Sequence, residues 1–261
     1  MEKSVAQPRM KWQTITFVSL TILISIPVSI YVLVYQTDII LFEKYGHLLS
    51  NRVVWSVETD KKVVALTFDD GPHEKYTTEL LDTLANYDVK ATFFLIGKNV
   101  EKYPEIVKRI QNEGHEIANH SYDHPILPFQ SRRKIRRQID STSSLIESAA
   151  GVIPKYFRPP MGLFTSSVLN VIEASGHIAL IGEVYPRDPY KPGVDKIVER
   201  VLNRTEPGSI IIMHDGGTWG KIDRSQSVKA VPIIIESLRE KGYRFLTVSD
   251  LILSGHPAAA G

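Results

Sequence analysis

The sequence predicts an α/β fold, a parallel sheet covered by helices and either open or closed into a barrel, preceded by one N-terminal transmembrane helix. Three observations predict it. From Val63 onward, short runs rich in Val, Ile and Leu alternate with segments of helical spacing, the pattern of repeated strand and helix units. Residues 14–35 carry no charge over about 22 positions, the length a helix needs to cross a bilayer core. The unusual ionisable residues gather at the ends of the apolar runs, where parallel α/β folds build their sites.

Composition sets the bounds. At 261 residues and 43% hydrophobic, the chain can bury one full core. A formal charge of +2 gives no footprint for nucleic acid, and none is expected as a partner. The absence of cysteine excludes disulfides, thiolate metal sites and a cysteine nucleophile together. No internal repeat or low-complexity segment interrupts the chain.

The uncharged segment Thr14–Tyr35 is preceded by Lys3, Arg9 and Lys11, with Trp12 at one edge and Tyr31 and Tyr35 near the other. Basic flanks mark the cytoplasmic side and aromatic residues mark the interfaces. Val32-Leu33-Val34-Tyr35 is a poor cleavage site, so an uncleaved signal anchor is expected over a removed signal peptide. The expected organisation is a cytoplasmic stretch at 1–13, a membrane anchor at 14–35, a spacer at 36–62 and one extracytoplasmic catalytic domain at 63–261, in a single-pass protein of the cell membrane.

Within the spacer, Val53 to Val57 reads as a first strand or hairpin arm. Strands are then expected at Val63–Phe68, Ala91–Ile96, His115–Asn119, Lys155–Arg158, His177–Ile181, Ser209–Met213 and Arg244–Thr247. Helices are expected at Thr77–Tyr87, where Leu80, Leu81 and Leu84 share a face, and at Pro104–Glu113, stopping at Gly114. Further helices are expected at Ser131–Ala149, Ser166–Ala174, Val194–Val201 and Ser227–Lys241, with a short one in the tail. Arg132, Arg133, Lys134, Arg136 and Arg137 open the Ser131 helix and read as a solvated face, with an anionic polymer or lipid headgroup as the alternative.

Asp69 and Asp70 end the first long strand. Adjacent carboxylates repel, so the pair is tolerated most readily where a cation or a proton-transfer task uses it, although Asp-Asp-Gly-Pro alone also suits a solvated turn. His120 follows another strand, Arg158 ends a third, Asp188 lies in the loop after Ile181, and His214 follows Met213. His120 and His124, four residues apart, can present both imidazoles to one divalent metal. Asp70 is the natural third ligand, completing a facial set with open positions for water. Asp69 then remains as a base for that water, and His214 as the acid for the leaving group, unless it is only a hydrogen-bonded histidine at the rim.

These residues, in this order, resemble the polysaccharide deacetylases with a NodB homology domain, carbohydrate esterase family 4. Thr67-Phe68-Asp69-Asp70-Gly71-Pro72 is similar to that family's first motif and His120-Ser121-Tyr122-Asp123-His124 to its second. Phe157-Arg158-Pro159-Pro160-Met161-Gly162 is similar to the third, and Ile211-Ile212-Met213-His214-Asp215 to the fifth. The resemblance implies a distorted (β/α) barrel of about seven parallel strands and metal-dependent removal of N-acetyl groups from N-acetylglucosamine units of a polysaccharide. It implies Asp69 as base, Arg158 as its orienting cation, His214 as acid tuned by Asp188, and the Met161 N–H as an oxyanion donor. Asp70, His120 and His124 would hold a divalent ion, most simply Zn2+, with Co2+ or Ni2+ as alternatives. Pro160, Tyr185 and Met213 would line the substrate groove. Two departures stand out: Met161 replaces an aromatic residue, and Tyr185-Pro186-Arg187-Asp188-Pro189 lacks the tryptophan of the fourth motif. Hydrolysis of O-acetyl xylan or of a small amide on the same barrel, and a tethered glycan-binding protein with impaired catalysis, are the competing readings.

Overall fold

A computed structural model describes residues 50–218 and 220–257. These lie within one compact unit, Gly46–Gly261. The expected anchor at 14–35 and the stretch before it fall outside the described residues, among which no helix is long and apolar enough to cross a membrane.

The strands are β1 (Val53–Val54), β2 (Val57–Glu58), β3 (Val63–Gly71), β4 (Thr92–Leu95), β5 (Glu116–Asn119), β6 (Tyr156–Phe157), β7 (Ile178–Leu180), β8 (Ile210–His214), β9 (Arg244–Leu246) and β10 (His256–Pro257). The helices are α1 (Tyr76–Asn86), α2 (Gly97–Lys102), α3 (Pro104–Asn112), α4 (Arg132–Ala150), α5 (Ser166–Ala174), α6 (Val194–Arg204), α7 (Ser225–Glu240) and α8 (Val248–Leu253). One parallel sheet runs in the order β1-β7-β6-β5-β4-β3-β8, with β9 also paired to β3. The segment after β7 reaches β8 through a single parallel bridge, Val184 to Ile211, and Ser56 bridges Ser209. The barrel is thus joined at its ends by isolated bridges rather than a full ladder. β2 and β10 form a separate antiparallel ribbon.

Alternation along β3 sorts the core into two layers. Val63 and Ala65 join Phe94, Ala118, Tyr156, Leu180 and Ile210 from facing strands, which fills the barrel interior. Val64, Leu66 and Phe68 face the other way, into a larger cluster with Leu80 and Leu84 of α1 and Val231 and Ile235 of α7. Phe68 and Phe93 stack there at 5.2 Å. Each such side chain, fully buried, contributes about 1.5–3 kcal/mol relative to exposure.

The helix boundaries follow their end signals. Pro104 opens α3, where its missing N–H costs nothing. Ser131 caps α4 through Lys134 N, and Gly151 ends it in the left-handed conformation. The five cations at the start of α4 are exposed, as a solvated face requires. Arg132, Arg133 and Lys134 lie in the first turn, at the positive end of the helix dipole, an arrangement unfavourable by roughly 0.3–1 kcal/mol per charge.

Three differences from the sequence reading matter for the site. β3 does not stop at Phe68 but runs through Asp69, Asp70 and Gly71. α2, six residues long, is too short to announce itself by periodicity. β1 and β2, within the stretch expected as a spacer, belong to the folded unit, β1 pairing with β7.

Candidate active site

Adjacent strand residues point to opposite faces, so Asp69 and Asp70 should diverge. They do not, because the ladder to β4 slips: Asp69 pairs with Phe94 and Gly71 with Leu95, leaving Asp70 as an extra residue. Asp70 sits at φ 74 in this bulge. Both carboxylates consequently approach one imidazole, His120 Nε2 lying 3.9 Å from Asp69 Oδ2 and 3.6 Å from Asp70 Oδ1.

His124 joins them. Its Nε2 is 3.5 Å from Asp70 Oδ1. The loop that delivers both histidines is folded by Asn119, whose Oδ1 accepts Ser121 N at 2.8 Å and whose Nδ2 donates to Ile139 O and to Ser143 Oγ. Ser121 Oγ accepts His124 N at 3.1 Å, and Gln138 of α4 accepts the Tyr122 and Asp123 N–H groups while donating to the Asp123 carboxylate. Ser121 and His124 both have positive φ, as do Met161 and Arg187 on neighbouring loops. Non-glycine residues in this region cost about 1–3 kcal/mol each and persist where the surroundings hold them, often at functional sites.

Ligand atoms of Asp70, His120 and His124 all lie within 4.8 Å of one another. Their chemistry fits a divalent cation. His120 Nδ1 lies 2.8 Å from the Arg158 carbonyl, which can only accept, so Nδ1 carries the proton and Nε2 presents its lone pair to the cluster. Burial pushes His120 down to about 3, so its imidazole stays neutral as a ligand must. Asp70 Oδ1 is buried without a hydrogen-bond partner among the described residues, a costly state that a cation would relieve.

Asp69 is held from behind. Arg158 Nη1 pairs with Asp69 Oδ1 and donates to Thr67 Oγ1 at 2.9 Å, and its guanidinium lies over the Phe94 ring at 3.8 Å. Both partners are buried, so each charge depends on the other. On the far wall, Asp188 opens a short 3-10 turn and binds His214 through the ring and the backbone. Burial pulls the His214 imidazole down, but the Asp188 charge and hydrogen bond outweigh it, with smaller help from Asp70 and Asp69, so its pKa is raised. The imidazolium form is therefore favoured at this position.

The expected groove residues divide. Tyr185 places its ring 5.8 Å from that of His214, and Met161, in the turn Pro160–Gly162, is 51% exposed. Pro160 is buried beside it. Met213 is not a groove residue: it is fully buried in the cluster between sheet and helices. Strand alternation explains this: Met213 lies on the face of β8 opposite His214, whereas Ile212, two residues before His214, shares its face.

Two further charged residues, to which the sequence reading assigned no role, lie beside the cluster. Arg224 Nε donates to Gly216 O at 2.8 Å and its Nη2 lies 3.7 Å from Asp70 Oδ2. Asp215 is buried, accepts from Thr77 Oγ1, and is pushed up to about 7, chiefly by burial and then by Asp70 and Asp69, against the Thr77 hydrogen bond. Glycine at 71 and 216 lets these parts close up, because a Cβ at Gly71 would strike the Asp215 carboxylate and one at Gly216 the Asp70 carbonyl.

The chain has clear relatives among known proteins. The sequence profile of the polysaccharide deacetylase family matches residues 56–179. A peptidoglycan-N-acetylglucosamine deacetylase of Bacillus cereus is 38% identical over 206 residues, covering 78% of this chain and 94% of the relative. A crystal structure of a peptidoglycan N-acetylglucosamine deacetylase superposes with a TM-score of 0.73 at 37% identity, covering 79% of this chain and 95% of that one. A family 4 acetyl xylan esterase of Clostridium thermocellum, in complex with a cobalt ion, gives a TM-score of 0.68 at 34% identity, over 74% of this chain and 91% of that one.

Proposed function

The chain belongs to the polysaccharide deacetylase family, and from that membership we propose that it hydrolyses the N-acetyl groups of N-acetylglucosamine units in a cell-surface glycan, with peptidoglycan the substrate best supported by its relatives. The observation that carries the reading is the placing of two adjacent carboxylates in different roles around one cluster: Asp70 among the histidines, Asp69 against Arg158. A divalent ion held by Asp70, His120 and His124, Zn2+ or in its place Co2+ or Ni2+, supplies Lewis acidity toward an acyl oxygen.

The chain's own residues do the rest. Asp69, its carboxylate fixed by Arg158, accepts a proton from water as the water oxygen bonds to the acetyl carbon. The Met161 N–H is an oxyanion donor in this reading. His214, kept as imidazolium by Asp188, then gives its proton to the nitrogen as the C–N bond breaks. Acetate and a free amine leave. Residues 14–35 anchor this domain outside the cell membrane in the same proposal.

A second reading has one specific support, the likeness to an acetyl xylan esterase, in which the same groups cleave an O-acetyl ester. The test is acetate and amine release by full-length protein from N-acetylated chitooligosaccharide, peptidoglycan and O-acetylated xylan, with Asp69→Asn as control. Amine release lost in the variant supports N-deacetylation. Acetate from xylan alone supports the ester reading, and unchanged activity in Asp69→Asn overturns the role of the base.

A further inference from the structure

Helix α4 opens with cations that the catalytic reading does not use. Arg133, Lys134 and Arg137 are exposed, and their side chains make no ion pair or hydrogen bond among the described residues. Residues three and four apart are neighbours on a helix surface, so the three share one side, opposite the buried Ile135, Ile139 and Ile146. Arg132 and Arg136, by contrast, are engaged: Arg132 Nε donates to Ser167 Oγ at 3.3 Å, and Arg136 binds Asp140 and the Ala174 carbonyl, both at 3.0 Å. The cationic side continues down the helix as Ser141, Ser144 and Ser148, and the remaining carboxylate, Glu147, lies toward the far end. Like charges crowded at the positive end of a helix dipole cost the fold stability, and an anionic surface removes that cost.

Two observations say which anion. Phe129, in the 3-10 turn Leu127–Phe129 just before α4, is 83% exposed, and Ile126 beside that turn is 40% exposed. An aromatic ring gains nothing from a soluble polyanion, whereas a bilayer interface takes an exposed ring and neighbouring cations together. The chain also enters the folded unit on this side. Arg52, near the first described residue, donates to Asn170 and Glu173 of α5, and the next residue, Ala174, is the one that Arg136 reaches.

We infer that this side of α4, with Phe129, docks on a bilayer containing anionic lipid, the phosphates taken by Arg133, Lys134 and Arg137 and the ring set among the headgroups. The inference rests on the membrane anchor of the proposed function, since tethering lets a contact that is weak on its own suffice. Phe129 lies on the connection from His124 to α4, so docking holds the candidate site beside the bilayer and directs hydrolysis to glycan close to the membrane.

The chain contains no cysteine, so a single Phe129→Cys carries a fluorophore in place of the ring. Ile233→Cys, exposed on α7, which packs on α1 and α6, is the control site. Full-length protein is reconstituted into vesicles of phosphatidylcholine, alone or with one third phosphatidylglycerol, that contain a lipid-borne quencher. Quenching at 129 should appear only in the anionic vesicles, vanish at high salt and be absent at 233. Arg133→Gln/Lys134→Gln/Arg137→Gln should lower the docking equilibrium constant on the order of 100-fold, about fivefold for each cation, while leaving acetate release from soluble chitooligosaccharide unchanged. Quenching equal in the two vesicles, or kept by the triple variant, overturns the docking face and leaves the deacetylase reading intact. Displacement of the label from the vesicles by soluble poly(glycerol phosphate) at matched phosphate also overturns it, by assigning the cations to a wall polymer. If carbonate extracts the protein from neutral vesicles, the anchor reading falls, and flotation of unlabelled protein decides the face. Binding to anionic vesicles that the triple variant loses then supports it; no binding, or binding the variant keeps, overturns it.

Discussion

Asp188 grips His214 at two points, Oδ1 lying 3.0 Å from the imidazole Nδ1 and Oδ2 accepting the backbone N–H at 2.9 Å. Ser227 Oγ donates to the same Oδ2 at 2.6 Å, so the carboxylate is itself fixed. One residue thereby sets both where the imidazole points and how long it keeps its proton. The proline that follows Asp188 interrupts the family's fourth motif without disturbing this contact, because the grip belongs to Asp188 alone.

Asp188→Asn removes the charge that outweighs burial at His214. In the wild type, the alkaline limb of kcat/KM should lie above the ordinary histidine value of about 6.5. In the variant that limb should move down by about one unit or more, with kcat at pH 8 reduced roughly 100-fold. Steady-state rates from pH 5 to 10 measure both. An alkaline limb that stays in place would remove His214 from the acid role.

The order of the motifs was legible in the sequence because each polar group ends a run of apolar residues, and strand ends can be read from such runs. The bulge was not. Asp70 escapes the alternation of β3 only through a slip against β4, which depends on a partner strand more than 20 residues away. The same holds for Asn119 and Gln138, whose value lies in the backbone N–H groups they satisfy rather than in their chemical type. Asp188 was placed in a loop and is found opening a turn, where proline at 189 suits the first helical positions. Met213 failed as a groove residue because a motif names neighbours along the chain, whereas a strand hands successive neighbours to opposite faces.

Gln138 offers a separate measure of how the histidine loop is held. Its amide closes three hydrogen bonds to Tyr122 and Asp123, next to His124, without touching any ligand atom. Gln138→Ala leaves two loop N–H groups without their acceptor, so the loop loses its fixed course while the buried face of α4, Ile135, Ile139 and Ile146, is unchanged. Divalent metal affinity should fall about tenfold, the lower range for loss of a group that orients ligands. Competition against a chromogenic chelator reads this without reference to turnover. Unaltered affinity would mean that Asn119 and Ser121 suffice to shape the loop.

Asp215 makes a prediction about stability rather than rate. Its carboxyl is buried between Gly71 and Thr77, with Oδ2 accepting from Thr77 Oγ1 and Oδ1 lacking a partner among the described residues. Folding raises its pKa from 3.8 to about 7. Below pH 4 the carboxyl is protonated in both folded and unfolded chains and contributes no pH dependence. Between about pH 4 and 7 the folded state holds a proton that the unfolded state has released, so stability declines as pH rises through that window, by on the order of a few kcal/mol in all. Asparagine keeps the shape and can accept from Thr77 but cannot ionise. Asp215→Asn should therefore remove this one contribution, so that its Tm gains on that of the wild type as pH increases from 4.5 to 7.5. Parallel melting curves across that range for the two proteins would show instead that Asp215 is ionised in the fold, with its charge balanced by the neighbouring imidazolium of His214.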